Sequence, residues 1–110
     1  MAKIEPAILK RLEEYVNRLD ELCVTFYEGR YDHIEAPELR IELGRKYAKV
    51  FKGDSIHTFV NLTNGDILKA ASYKAPAPNG VRGNIFDDDC GIHCVGPYGA
   101  LYLNGPTINF

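Results

Sequence analysis

The sequence has no long apolar run. A membrane-crossing helix needs roughly 18 to 20 consecutive apolar residues, and the N-terminus MAKIEPAILK becomes charged again within a few positions. Neither a span nor a secretory signal is expected, and the chain reads as soluble. Cysteine is also scarce. Cys23, Cys90 and Cys94 cannot all pair within one chain, which points to a reducing compartment, the cytoplasm. Net charge is only −2 over 110 residues; a protein that coats a nucleic-acid polymer through its backbone needs a basic surface, so that class is excluded. There is no glycine-rich phosphate loop ahead of a helix, no GxSxG and no HExxH, so the sequence-readable hydrolase and nucleotide-cleaving classes lack their signatures.

What is present is ordinary globular composition, 45% apolar and 25% charged, enough for one domain over residues 1–110 with a real core. The small net charge hides an arrangement. Residues 39–86 hold eight basic and three acidic side chains, residues 1–38 hold five and nine, and residues 87–110 hold none and three. A compact basic region between acidic flanks suits a small anion better than a long polymer.

Apolar residues at Ile8, Leu12, Tyr15, Leu19, Leu22 and Phe26 alternate steps of four and three, and Leu9, Val16 and Cys23 widen the stripe. This predicts an amphipathic helix over about 5–29, with Pro6 in its first turn and Gly29 as its C-terminal stop. At about 1.5 Å per residue it would run roughly 35 Å, long for so small a domain. Its stripe either packs on its own sheet or is shared with a partner subunit.

After Gly29 and Pro37 the period changes to two. Strands are expected at about 39–43, 45–52, 55–62 and 66–72, with turns at Gly53-Asp54 and Asn64-Gly65. One short edge strand around ALYL would close the region near 104. The expected fold class is therefore α+β, one long N-terminal amphipathic helix packed on a small antiparallel sheet of three to five strands. The stretch KAPAPNGVRGNIF, residues 74–86, holds two prolines and two glycines among the residues before Ile85; it is expected to form a rigid irregular loop rather than a regular element.

The chemistry motifs are weak. CGIHC beside Asp87, Asp88 and Asp89 collects possible metal ligands, but structural zinc usually takes two paired pairs, so a solvated acidic loop is expected and no metal. His57 stands near Ser55 and Thr58 on a strand, where a core or interface histidine is expected before a general base. What remains is a binding inventory: Arg82 beside Gly83, Lys69 and Lys74 flanking AASY, Tyr73, Asn64 and Asn84, and the ring of Phe51. Guanidinium and ammonium groups meet phosphates, amides offer both donor and acceptor to adenine or ribose, and rings stack on a base. Each residue also has a structural use; together they describe a pocket for a small phosphorylated nucleotide.

The segment FVNLTNGDILKAASYKAPAPNGVRGNIF, within a motif-bearing region of roughly 45–86, resembles the first-described class of anti-Thoeris sponge proteins of bacterial viruses. The resemblance implies a non-enzymatic role in the cytoplasm of an infected bacterial host. Such proteins bind cyclic ADP-ribose isomers intact, and some take up cyclic oligonucleotide signals at separate sites. It also implies homo-oligomers, dimers or hexamers built from dimers, with ligand contacts from Arg, Asn and aromatic side chains, here Arg82, Asn84 and Asn64 with Arg30 or Phe51. No cofactor is expected. The competing readings are a nucleotide-signal-degrading enzyme and a phage accessory module that binds a protein.

Overall fold

Helix α1 (Pro6–Arg30) starts at its proline, whose fixed φ suits a first turn and whose missing N–H would have no helical partner anyway. The Glu5 carbonyl closes that turn, accepting the amides of Ile8 and Leu9 at 3.0 and 3.2 Å. The computed structural model describes residues 4–30, 37–72, 74–97 and 99–100. Contrary to expectation, Gly29 does not end the helix: its φ is not positive, and α1 continues to Arg30. Glycine at an exposed helical site costs only about 1 kcal/mol relative to alanine.

Five strands follow, β1 (Leu39–Leu43), β2 (Tyr47–Lys52), β3 (Ser55–Asn61), β4 (Asp66–Ala70) and β5 (Pro76–Asn84). They pair antiparallel in chain order. Because side chains alternate across a strand, register decides which residues face the helix. Leu43, Ala48, Val60 and Ile67 form one cross-strand row; Ile41, Val50 and Thr58 form the next. Ile8, Leu12, Tyr15, Leu19 and Cys23 of α1 join Ala48, Val50, Val60, Leu62, Ile67 and Ile85 in one core cluster. The α1 stripe thus packs on its own sheet. Each aliphatic side chain so buried contributes roughly 1.5–3 kcal/mol.

The opposite face carries a second apolar layer. Phe51 and Phe59 are fully buried there, with the Arg40 guanidinium 4.1 Å from the Phe51 ring centre and Tyr47 edge-on to Phe59 at 5.9 Å. The register extends it through Leu68 and Val81.

Two turns differ in detail. Gly53-Asp54 is the two-residue hairpin expected between Lys52 and Ser55. The β3–β4 connection spans four residues instead: Asn61 accepts the Gly65 amide on its carbonyl at 2.8 Å and the Thr63 amide on its side chain at 2.7 Å. Gly65 is required twice over, by its φ of +85° and because a Cβ there would meet Ile85 at 2.9 Å.

The expectation of an irregular loop at 74–86 is overturned, since nine of its residues form β5. Its prolines are tolerated because β5 is an edge strand, where an absent N–H need not break a ladder, and its register with β4 shifts at Ile67/Leu68 and again at Leu68/Ala70. After β5 a short 3₁₀ turn (Ile92–Cys94) leads to a two-stranded ladder, β6 (Val95–Gly96) with β7 (Gly99–Ala100). Only Ala100 of the strand expected around ALYL lies within the described residues.

Polar contacts pin α1 to this tail. Arg11 donates to the carbonyls of Ile85 and Asp87 at 2.8 and 2.6 Å. Cys94 sits over β5 so closely that a Cβ on Gly83 would lie 2.6 Å from its sulfur. Gly83→Ala should therefore destabilise the protein by about 1–3 kcal/mol through overpacking. In urea unfolding, Gly83→Ala combined with Cys94→Ala should be measurably more stable than the sum of the two single changes predicts; strict additivity would show that the sulfur is not what glycine accommodates.

Candidate functional site

The expected binding residues fall in several places. Asn64 and Asn84 are brought together: the Asn84 side-chain amide donates to the Asn64 carbonyl and to Asp66 Oδ1, both at 3.0 Å, while its own Oδ1 accepts the Phe86 amide at 2.8 Å. The Asn64 side chain accepts the Asp66 amide at 2.9 Å. These amides lock the β3–β4 turn to the end of β5. Lys69 and Arg82 lie on adjacent strands, one residue to either side of the Leu68–Val81 pair. Lys74 is exposed in the β4–β5 connection. Phe51 is buried on the far face beneath Arg40. Arg30 is the last residue of α1, and Tyr73 lies outside the described residues.

The acidic cluster is a solvent-exposed loop, as expected, whose carboxylates also cap turns. Asp89 accepts the amides of Gly91 and His93 at 2.9 and 3.0 Å and pairs with His93 Nδ1 at 2.9 Å, and Asp87 accepts the Asn84 amide at 3.1 Å. Among the described residues, no three His, Cys, Asp or Glu groups are placed to hold a metal ion. Burial pushes the Cys94 thiol up to about 11, leaving it protonated, and its Sγ lies 2.8 Å from the Gly91 carbonyl.

One polar constellation lies inside the core. Val50 of β2 faces Thr58, but Phe51 faces Ile56, so His57 is the extra residue of a β-bulge. Its Nε2 lies 2.8 Å from the Gly96 carbonyl and its Nδ1 3.1 Å from Thr58 Oγ1, which in turn is 2.7 Å from the Tyr15 hydroxyl. A carbonyl can only accept, so Nε2 carries the proton. In the neutral ring Nδ1 then accepts from Thr58, and Thr58 accepts from Tyr15. Burial depresses the His57 pKa to about 4, against the opposing pull of its Gly96 hydrogen bond, and burial also pushes the Tyr15 hydroxyl upward.

Next to this chain, where the C-terminal end of α1 passes the β2–β3 hairpin, an open cleft of about 470 Å³ is lined by Tyr27, Pro37, Lys52, Gly53, Asp54, Ser55, Ile56 and His57. The Lys52 ammonium stands 5.6 Å from the Tyr27 ring centre and donates to the Pro97 carbonyl at 2.6 Å. The cleft thus combines a cation, an aromatic ring, a hydroxyl, a carboxylate and approachable glycine backbone, in a volume that suits a small ligand.

Residues 1–99 match the model of a family of unknown function, DUF7717. The chain belongs to that family. No curated protein and no solved structure matches it.

Tyr27 and Lys52 did not stand out in the sequence. The available signal was parity: Lys52 shares its face of β2 with Ala48 and Val50, so a lysine occupies a position where the alternation calls for an apolar side chain. His57 was expected as a core or interface histidine, and it is buried in the core.

A histidine whose folded pKa lies below its unfolded value stabilises the fold above the unfolded pKa, and that stability is lost as pH falls toward the folded pKa. For this DUF7717 chain the window runs from about 6.5 down to about 4. Urea unfolding at pH 5 should give a stability about 2 kcal/mol lower than at pH 7.5 from this group. His57→Gln, which cannot titrate, should remove that part of the slope; an unchanged slope would show that His57 is not its source.

Proposed function

We propose that this chain binds a small phosphorylated nucleotide and holds it without chemistry, as a sponge for cyclic ADP-ribose isomers or related cyclic nucleotide signals in the cytoplasm of a phage-infected bacterium. The observation that carries the reading is the cleft at the C-terminal end of α1, where the Lys52 ammonium and the Tyr27 ring line one space of about 470 Å³. A phosphate is met by an ammonium donor, a base by an aromatic face, and ribose hydroxyls by Ser55 and Asp54. The concentration of basic residues in 39–86 supports the same ligand class, and so does the resemblance of residues 59–86 to the anti-Thoeris sponges.

The imidazole on the cleft wall favours holding over cleaving. Both His57 nitrogens are engaged and burial keeps the ring neutral, so its Nε2 is a donor already committed to Gly96 and not a base facing the cleft. Sequestration asks only for ground-state affinity and enough copies. With micromolar protein and trace signal, a Kd of about 10 nM leaves roughly 1% of the ligand free.

Calorimetric titration with cyclic ADP-ribose isomers, followed by heating and recovery of the ligand, tests this directly. Binding with intact ligand recovered is expected; no binding to any isomer, or recovery of a cleaved product, overturns it. Lys52→Ala should weaken binding about 10- to 100-fold, the loss of one charged hydrogen bond, while Lys52→Arg retains most of it. Arg82→Ala belongs in the same titration. If it abolishes binding and Lys52→Ala does not, the ligand lies on the β4–β5 patch with Lys69 and Lys74 instead.

A further inference from the structure

Strand β1 forms one edge of the sheet, and among the described residues it pairs with β2 alone. Its register runs from Leu39↔Lys52 to Leu43↔Ala48 without a shift. Beside it an open groove of about 310 Å³ is lined by Leu9, Leu12, Glu13, Ile41 and Leu43. Leu43 is 53% exposed and Leu9 37%, so apolar surface continues from the edge strand onto the first turns of α1.

The strand reads Leu39-Arg40-Ile41-Glu42-Leu43, a pattern that complements itself when reversed. In an antiparallel pair of two copies centred on Ile41, Leu39 faces the partner subunit's Leu43 and Arg40 faces the partner subunit's Glu42. A two-fold axis makes each pairing twice. Opposite charges directly across a strand pair stabilise it and like charges destabilise it. Sliding by two residues, the next register that keeps the apolar face together, sets Arg40 against Arg40 or Glu42 against Glu42. A one-residue slide mismatches the faces. Register and partner are thus specified by the same two charges.

We infer that β1 is the seam of a symmetric homodimer in which the β1 strands of two copies pair antiparallel about Ile41, joining two five-stranded sheets into one. The charged side chains that select the partner are exposed to it: Arg40 at 52% and Glu42 at 58%, bridged to each other at 3.0 Å within one copy. On pairing, each meets its opposite across the seam, and Leu43 gains cover from the partner subunit's Leu39. This inference is independent of the ligand reading.

Sedimentation equilibrium of the full chain tests it. The wild type should sediment at twice its 12.3 kDa chain mass. Glu42→Arg gives a strand with two positive charges and Arg40→Glu a strand with two negative ones; each alone should sediment as a monomer, and an equimolar mixture of the two should recover the dimer mass. A monomeric wild type overturns the inference and leaves this edge to a segment of the same chain or to a foreign strand. Variants that remain dimers on their own overturn it equally. If loss of the Arg40 stack on Phe51 unfolds Arg40→Glu, Glu42→Arg, which keeps that stack, decides alone.

Discussion

The arrangement turns on a buried imidazole. His57 is the extra residue of a bulge in a central strand, and burial there favours its neutral form. Neutrality fixes the direction of every hydrogen bond in the chain from Tyr15 through Thr58 and His57 to the Gly96 carbonyl. Three separate elements are joined by it: α1, β3 and the β6–β7 ladder. A buried hydroxyl without a partner costs about 1–3 kcal/mol, so the helix cannot rotate or slide on the sheet without unsatisfying Tyr15. Apolar packing supplies most of the energy of docking α1, but it is non-directional; this chain supplies the register. Among the described residues no buried side-chain nitrogen or oxygen lacks a partner.

The same constraint shapes the cleft. Because His57 is pulled inward to Gly96, the ladder follows it, and Pro97 comes within 2.6 Å of the Lys52 ammonium. Lys52 is thereby held at the cleft wall over Tyr27 instead of extending into solvent, so the rotamer entropy of a long side chain is already lost before any ligand arrives. The Pro97 carbonyl also lies 3.9 Å from the Cys23 sulfur near the end of α1. A binding wall is built here from the groups that fix the helix.

Much of the fold was legible because it rests on periodicity. The steps of four and three in α1 and the alternation in β1 to β4 report which face is buried, and those elements lie within a few residues of expectation. One reading failed where composition was taken for conformation. Prolines and glycines in 74–86 suggested irregular backbone, yet an edge strand tolerates both, and Gly83 is needed for the approach of Cys94 and not for a turn. The acidic run at 87–89 does reach solvent, with Asp88 exposed, but sequence does not show which backbone amides fold back onto Asp87 and Asp89. The candidate site was less legible still. Tyr27 and Lys52 are 25 positions apart in sequence and meet only because α1 runs antiparallel to β1, a consequence of packing that no local pattern carries.

The two edges of the sheet are built on opposite principles. At β5 the strand carries prolines and two register shifts, and Asp87 accepts its last amide; these are devices that keep an edge from pairing with another chain. At β1 none of them is present. That strand is in unbroken register, free of proline and glycine, apolar on one face and carrying one charge of each sign on the other. An edge of that kind is a liability for a solitary chain at high concentration, because it offers unpaired backbone groups to any extended segment. Opposed charges at Arg40 and Glu42 convert the liability into a choice: they favour the register centred on Ile41 over both two-residue slides that keep the apolar faces together. Open-ended growth does not follow from it either, since a sheet joined at β1 leaves only the two blunted β5 edges outermost.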